Sequence, residues 1–257
     1  MAKSTKDIEI ELKEASDDIL KRNELIRLYA ADERKSVRNL ISKIKKQEEK
    51  LNTEKQRIEE MCFFENKYAS FSAICGIDEA GRGPLAGPVV AGAVILPKDC
   101  RILYINDSKK LSAKKRDELY DEIRERAIAV GVGIADNKRI DEINILQATY
   151  EAMREAIASL DEKPDILLND AVKIPEIDIK QVPIVKGDAK SQSIAAASII
   201  AKVTRDRIME AFDILYPEYG FAGHKGYGSA AHIEALKKYG PCPIHRKSFI
   251  THFTEGE

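Results

Sequence analysis

The sequence predicts an α/β fold preceded by a helical N-terminal extension. Three observations carry this. From Phe71 onward, short apolar runs alternate with longer amphipathic stretches. The texture changes abruptly near residue 65, and the chain before that point holds neither glycine nor proline. The apolar runs have strand length and are rich in Val, Ile, Leu and Ala, and Gly, Pro or Asp bounds most of them.

In the N-terminal part, Val37, Leu40, Ile41, Ile44, Leu51, Ile58 and Met61 recur at steps of three, four and seven, which places them on one helical stripe. Residues 8–28 read as one or two shorter helices, so the region is expected to form a helical hairpin with a solvated outer face. Lys43, Lys45, Lys46 and Lys50 belong to that face and read as plain charged surface. Residues 1–68 are assigned to this extension and residues 69–257 to the α/β domain.

Strands are expected at Ala73–Ile77, Val89–Leu96, Ile128–Ile134, Ile166–Leu168 and Val182–Val185. Helices are expected at Ala113–Arg126, Glu142–Leu160, Ser191–Phe212 and Ser229–Tyr239, the last opened by Ser229 as N-cap. Strands and helices mixed in this way predict a central sheet sandwiched between helices.

Composition narrows the function classes. Basic and acidic residues number 42 and 43, so the net charge of -1 argues against a non-specific coating of nucleic acid. Any grip on phosphates has to come from a local basic face. Cys62, Cys75, Cys100 and Cys242 form no CxxC pair and read as reduced thiols. No apolar run approaches the roughly 20 residues that span a bilayer, and the first residues lack the apolar core of a secretory signal. A cytoplasmic monomer is the expectation.

The chemistry concentrates in residues 75–88, CGIDEAGRGPLAGP. An apolar strand delivers Asp78 and Glu79 into a glycine-rich turn. Neighbouring strand residues leave opposite faces, so both serve one site only near a strand end or bulge. Carboxylates at the end of a core strand are costly without a compensating cation, which is the reason to expect metal. Gly81, Gly83 and Gly87 permit positive φ and close backbone approach to a ligand, and Arg82 adds a guanidinium between two bare backbones. Amides beside an arginine suit a phosphodiester or a ribose hydroxyl. The segment is no P-loop, because no Gly-Lys-Ser/Thr follows. Its structural reading as a tight hairpin between two strands is compatible with the functional one. Asp170 and Asp188 each follow an apolar run, so four carboxylates are expected at one edge of the sheet, a set suited to hard divalent cations.

This opening block resembles that of the ribonuclease HII family, the bacterial type 2 ribonucleases H. Further blocks match in order: Asp107–Leu111, Lys186–Ser191, Ala195–Asp206, Lys225–Gly228 and His245–Phe249. The resemblance runs from about residue 70 to the end of the chain and implies a ribonuclease H-like fold. It implies a nuclease that cuts the RNA strand of RNA–DNA hybrids and single ribonucleotides embedded in duplex DNA, using Mn2+ or Mg2+. Asp78, Glu79, Asp170 and Asp188 then form the catalytic, metal-binding set. Asp206 competes for the fourth place but reads better as a partner of Arg205 or Arg207. Gly81, Arg82 and Gly83 match the motif that reads the ribonucleotide–deoxyribonucleotide junction, and Tyr227 matches the tyrosine that stacks on the deoxyribose. Lys109 and Lys186 are candidate phosphate contacts, and His245 and Arg246 read as stabilising the fold. One departure is Asn169, where the family places an aliphatic residue; an amide there is positioned to bond the neighbouring carboxylate or to end the strand. The sister enzyme ribonuclease HIII is the nearest alternative, and the glycine–arginine–glycine turn and the helical N-terminus speak against it. A non-catalytic hybrid-binding module and an integrase of the same fold are weaker alternatives. No tail of the kind that binds sliding clamps is evident, so a clamp partner is unsupported.

The carboxylate assignment predicts that Asp78→Asn binds a hybrid duplex as the parent does but cleaves it undetectably. Full activity of that variant in a gel-based cleavage assay would remove Asp78 from the metal set.

Overall fold

An apolar strand such as Cys75–Ile77 is freed from water only when strands flank both its edges and helices cover both its faces. The computed structural model, which describes residues 3–15 and 18–254, has this arrangement. In chain order the elements are α1 (Thr5–Glu14), α2 (Ile19–Ala30), α3 (Lys35–Met61), α4 (Phe63–Lys67), β1 (Ile74–Ala80), β2 (Val89–Ile95), α5 (Ala113–Arg126), β3 (Ala129–Ala135), α6 (Asn137–Ala158), β4 (Ile166–Asp170), β5 (Lys180–Ile184), α7 (Gln192–Leu215), α8 (Phe221–His224), α9 (Ala230–Tyr239) and α10 (Lys247–Thr254).

The chain forms two units, one ending at Arg57 and one beginning at Ile58. In the first, Ile8 and Leu12 of α1, Ile26 of α2, and Val37, Ile41 and Ile44 of α3 bury one another. Ser4 and Asp7 cap α1 reciprocally, each satisfying the other's amide. The apolar stripe of α3 is divided between two cores: Ile58 and Met61 belong to the second unit, where they pack with Leu96, Cys100 and Ile102.

The second unit is built on a five-stranded sheet of order β3-β2-β1-β4-β5. β1 runs antiparallel to β2 and parallel to β4, so the first three strands in the chain form a meander and the last two add parallel partners. Cys75, Ile77, Ala91 and Ala93 face α6, whose Ala148, Ala152 and Ala156 meet them. On the other face lies α7, and here the approach is close. A Cβ at Gly76 would stand 2.1 Å from the Ser193 carbonyl carbon, and one at Gly92 would stand 2.5 Å from the Ala197 oxygen. Two glycines on the sheet and an alanine-rich helix thus let backbone rest on backbone.

The predicted architecture is the observed one, with shifts at the boundaries. β1 continues through Asp78 and Glu79 to Ala80, because β2 supplies partners as far as Val90. α6 starts at Asn137, capped by Asp136, and Asn144 breaks it with a φ of 67°. The Asn144 side chain accepts from the amides of Leu146 and Gln147, so it caps the second half, which is the part the periodicity reveals. α4, α8 and α10 were not anticipated; each is eight residues or shorter. The four cysteines are free thiols. No helix among the described residues is long and apolar enough to cross a membrane.

Because Gly76 touches helix backbone, Gly76→Ala should lower stability by about 1–3 kcal/mol through overpacking. Gly223→Ala, which meets nothing within 4 Å, should change it by less than about 0.5 kcal/mol. Urea midpoints of the two variants check the contrast, and equal midpoints would refute the close-approach argument.

Candidate active site

Asp78 and Glu79 lie in the last three residues of β1, and Asp170 is the last residue of the adjacent parallel strand β4. Since Ile77 pairs with Asn169, Asp78 and Asp170 are register neighbours at the carboxyl ends of two parallel strands. In α/β sheets this is where ligand sites form. Asp188 arrives on the turn Gly187–Ala189 that follows β5, and the Gly187 amide donates to Asp170 Oδ1 at 2.7 Å. That bond ties the third and fourth carboxylates together, and a Cβ at Gly187 would crowd Asp170 Oδ1 at 3.3 Å.

Electrostatics binds the set together. Burial, with the Glu79 and Asp170 carboxylates nearby, holds the Asp78 carboxyl well above its usual range. Burial and Asp170 likewise raise Glu79 against the pull of Arg82, whose Nη1 lies 3.3 Å from Glu79 Oε1. Asp188 is raised by burial, then by Asp107 and Asp170. Groups pushed toward their neutral forms by one another are what a cation would relieve. In the present arrangement no three His, Cys, Asp or Glu side chains among the described residues converge to cage an ion. The carboxylates have protein donors instead: the Glu79 amide and the Ser198 hydroxyl for Asp78, Arg82 for Glu79 and the Gly187 amide for Asp170. The donor set is all carboxylate oxygen, which suits Mg2+ or Mn2+.

Beside the carboxylates runs an open groove lined by Glu79, Gly81, Arg82, Gly83, Lys109, Arg116, Lys202 and Tyr227, among others. Here is the local basic face that the net charge conceals. Lys109 is exposed and draws down both Glu79 and Asp188. Lys186 is exposed as well, in a left-handed conformation before the Asp188 turn, and does not line the groove. Gly81 and Gly87 have φ of 95° and 84°, whereas Gly83 does not adopt positive φ, and a Cβ there would meet only Tyr227 Cε1, at an ordinary contact distance of 3.9 Å.

Two expectations change on inspection. Asp206 pairs with Lys202 at 2.6 Å and Arg116 at 3.8 Å, not with Arg205 or Arg207. Arg207 reaches Asp117 instead, and Arg205 turns inward to backbone carbonyls. Asn169 does not bond the carboxylate. It is fully buried, and its Nδ2 donates to Val172 O and Gln181 Oε1, fastening the segment between β4 and β5.

Some contributing residues were not read from the sequence. Ser198 bonds Ser108 at 2.9 Å and Asp78, which anchors the Asp107–Leu111 segment to the carboxylates. Its only signal was a hydroxyl amid the alanines and isoleucines of α7. A chain of histidines holds Tyr227. The Cys242 amide donates to His245 Nδ1 (3.0 Å), which leaves His245 Nε2 to donate to His232 Nε2 (3.0 Å), and His232 Nδ1 then donates to the Tyr227 carbonyl (2.9 Å). The chain requires both rings to be neutral.

With the site in view, comparison with known proteins is informative. The ribonuclease HII family profile matches residues 75–252, and that of the ribonuclease HII N-terminal domain matches residues 4–69. Ribonuclease HII of Lachnoclostridium phytofermentans is 64% identical over 226 residues, 88% of this chain and 89% of that protein. The enzyme of Clostridioides difficile is 57% identical over 235 residues, 91% and 92% of the two chains. Among solved structures, ribonuclease H2 of Pyrococcus horikoshii has a TM-score of 0.58 at 29% identity, covering 72% of this chain and all of its own. Ribonuclease HII of Archaeoglobus fulgidus, solved in complex with PCNA, has a TM-score of 0.59 at 30% identity, covering 72% of this chain and 98% of its own. The fold is ribonuclease H-like, and the chain belongs to the ribonuclease HII family. It is a type 2 ribonuclease H, one of a class of divalent-metal-dependent endonucleases that act on RNA–DNA hybrids.

The histidine chain yields a pH prediction. Burial, with His232 beside it, pushes His245 down to about 4 from the usual 6.5. The unfolded chain therefore binds a proton in the window between these values that the fold refuses, so the contribution is complete above about pH 6.5 and is lost as pH falls toward 4. Raised carboxylates such as Asp78 and Glu79 act in the opposite sense, so the comparison has to be between variants. The stability advantage of the parent over His245→Asn should shrink by about 1–3 kcal/mol between pH 7.5 and pH 4.5. Urea titrations at both pH values test it, and a constant difference would rule it out.

Proposed function

We propose that this enzyme cuts the RNA strand of RNA–DNA hybrids and also cuts on the 5′ side of single ribonucleotides embedded in duplex DNA, leaving 5′-phosphate and 3′-hydroxyl ends. The supporting observation is a set of mutually repelling carboxylates beside a groove that carries Arg82, Lys109 and Tyr227. Asp78, Glu79, Asp170 and Asp188 would hold Mg2+ or Mn2+. When bound, such ions supply Lewis acidity toward the phosphodiester and a water of lowered pKa. The rest falls to the chain. Lys109 and Lys186 contact backbone phosphates. Arg82 and the amides around Gly81 and Gly83 recognise the 2′-hydroxyl, the group that separates RNA from DNA. Tyr227 stacks on the deoxyribose that follows, a contact blind to base identity and therefore suited to repair. In this reading residues 69–257 carry the catalysis, residues 1–68 form a helical extension, and the protein works as a cytoplasmic monomer in ribonucleotide removal.

A duplex with one embedded ribonucleotide, incubated with Mg2+ or Mn2+, should be cut once on its 5′ side, and chelator should abolish the cut. Cleavage confined to long hybrids would remove the junction-reading part of the proposal. Binding without cleavage of either substrate would remove the catalytic part.

A further inference from the structure

Two arginines that the reaction does not use are buried beneath the substrate-facing turn. Arg205 is 1% exposed and Arg246 is fully buried. A buried guanidinium ordinarily takes a carboxylate partner, because an unpaired charge in the interior is costly. Neither has one within ion-pair distance among the described residues. All their bonds go to backbone carbonyls. Arg205 donates from Nε to Pro88 O (2.9 Å), from Nη2 to Ala86 O (3.1 Å) and from Nη1 to Lys225 O (2.9 Å). Arg246 donates from Nε to Gly87 O (2.9 Å), from Nη1 to Arg82 O (2.8 Å) and from Nη2 to Gly81 O (2.6 Å).

The two forks thus bind five carbonyls of residues 81–88 and one of the Tyr227 loop. The Arg205 guanidinium also lies 5.8 Å from the Tyr227 ring centre, so one side chain touches both halves of the junction-reading element. Drawing these carbonyls inward leaves the Arg82 and Gly83 amides, which have no protein partner among the described residues, on the outer side of the turn. The uncompensated charges also sit behind that amide surface, where a carboxylate partner would have cancelled them. Burial, with Arg205 close by, lowers Arg246 to about 9, in keeping with two cations that lack a counter-ion in the free protein.

We propose that Arg205 and Arg246 are positioning residues for ribonucleotide recognition: their guanidiniums fix the 81–88 turn against the Tyr227 loop, with its amides outward and a net positive charge behind them, ready for a phosphodiester. The specificity half of this rests on the function proposed above; the ordering of the turn does not. Arg205→Lys and Arg246→Lys keep the charge and most of the volume but lose the three-pronged fork. Each full-length variant is compared with the parent in two measurements. The first is amide hydrogen exchange of peptides covering 81–88 and 225–228, with peptides of β2 and α7 as internal reference. The second is the ratio of dissociation constants for an all-DNA duplex and the same duplex carrying one ribonucleotide, with chelator present to prevent cleavage.

The expected result is faster exchange confined to the two loop peptides, together with an about tenfold fall in that ratio. Unchanged exchange in the loops overturns the proposal, as does faster exchange with the ratio intact. Loss of cooperative melting in both lysine variants overturns it too, since the arginines would then support the whole domain and not the turn. If the parent itself shows no preference for the ribonucleotide, the junction-reading function fails. Loop-confined exchange in the variants would in that case still establish the ordering role.

Discussion

The geometry of the site depends on the contact of α7 with the middle of the sheet. Helix and sheet ordinarily keep about 10 Å between their axes because side chains fill the gap. Here Gly76 and Gly92 leave no spacer, and the helix backbone touches the strands. The consequences run along α7 in sequence order. Near its start, Ser191 caps the helix directly after the Asp188 turn. The residue after Ala197, Ser198, meets Asp78. One turn further, Lys202 lines the groove and is paired with Asp206 a turn beyond it, and Arg205 enters the space beneath the β1–β2 connection. A single rigid helix therefore sets the relative heights of carboxylates, groove wall and turn, and shifting it by one methyl group would move all three.

Most of this was legible in the sequence where local chemistry is repetitive or severe. The expected α5 boundaries match the observed ones, where Ser112 caps a charged amphipathic run. Asp78, Glu79 and Asp170 could be read as ending strands because each closes an apolar run, and Asp188 falls on the turn just beyond β5. Legibility failed where a residue's role is set by a partner far away in the chain. Arg246 was expected to stabilise the fold and Arg205 to pair with Asp206, but only the fold shows both buried, with the turn carbonyls they hold over 110 residues away. Asp206 was placed beside the wrong partner because neighbours in a helix point about 100° apart, whereas residues four apart, such as Lys202 and Asp206, share a face. Asn144 was invisible for a different reason: its break falls inside an otherwise good helical pattern, and nothing in composition forces a positive φ there.

The charge balance illustrates the same gap between average and local. A net charge of -1 is compatible with a strongly organised field. The acidic residues that matter are gathered at the ends of β1 and β4, and cations line one adjacent groove. Carboxylates gathered on one side and cations on the other, touching only through pairs such as Arg82 with Glu79, give a hard cation and a polyanion favourable places within one short span.

The connection between β1 and β2 is held at nearly every residue, by the two guanidiniums and by backbone bonds from Leu85 to Gly226 and from Gly87 to Ile244. A free loop of this kind would lose about 1–2 kcal/mol of conformational entropy per residue on being ordered by its ligand. Here that loss is complete once the protein has folded. A ligand that docks on this segment meets a surface already ordered, and if the segment reads the ribonucleotide as proposed, its selectivity rests on the fit of a stiff surface, not on a loop closing over its target.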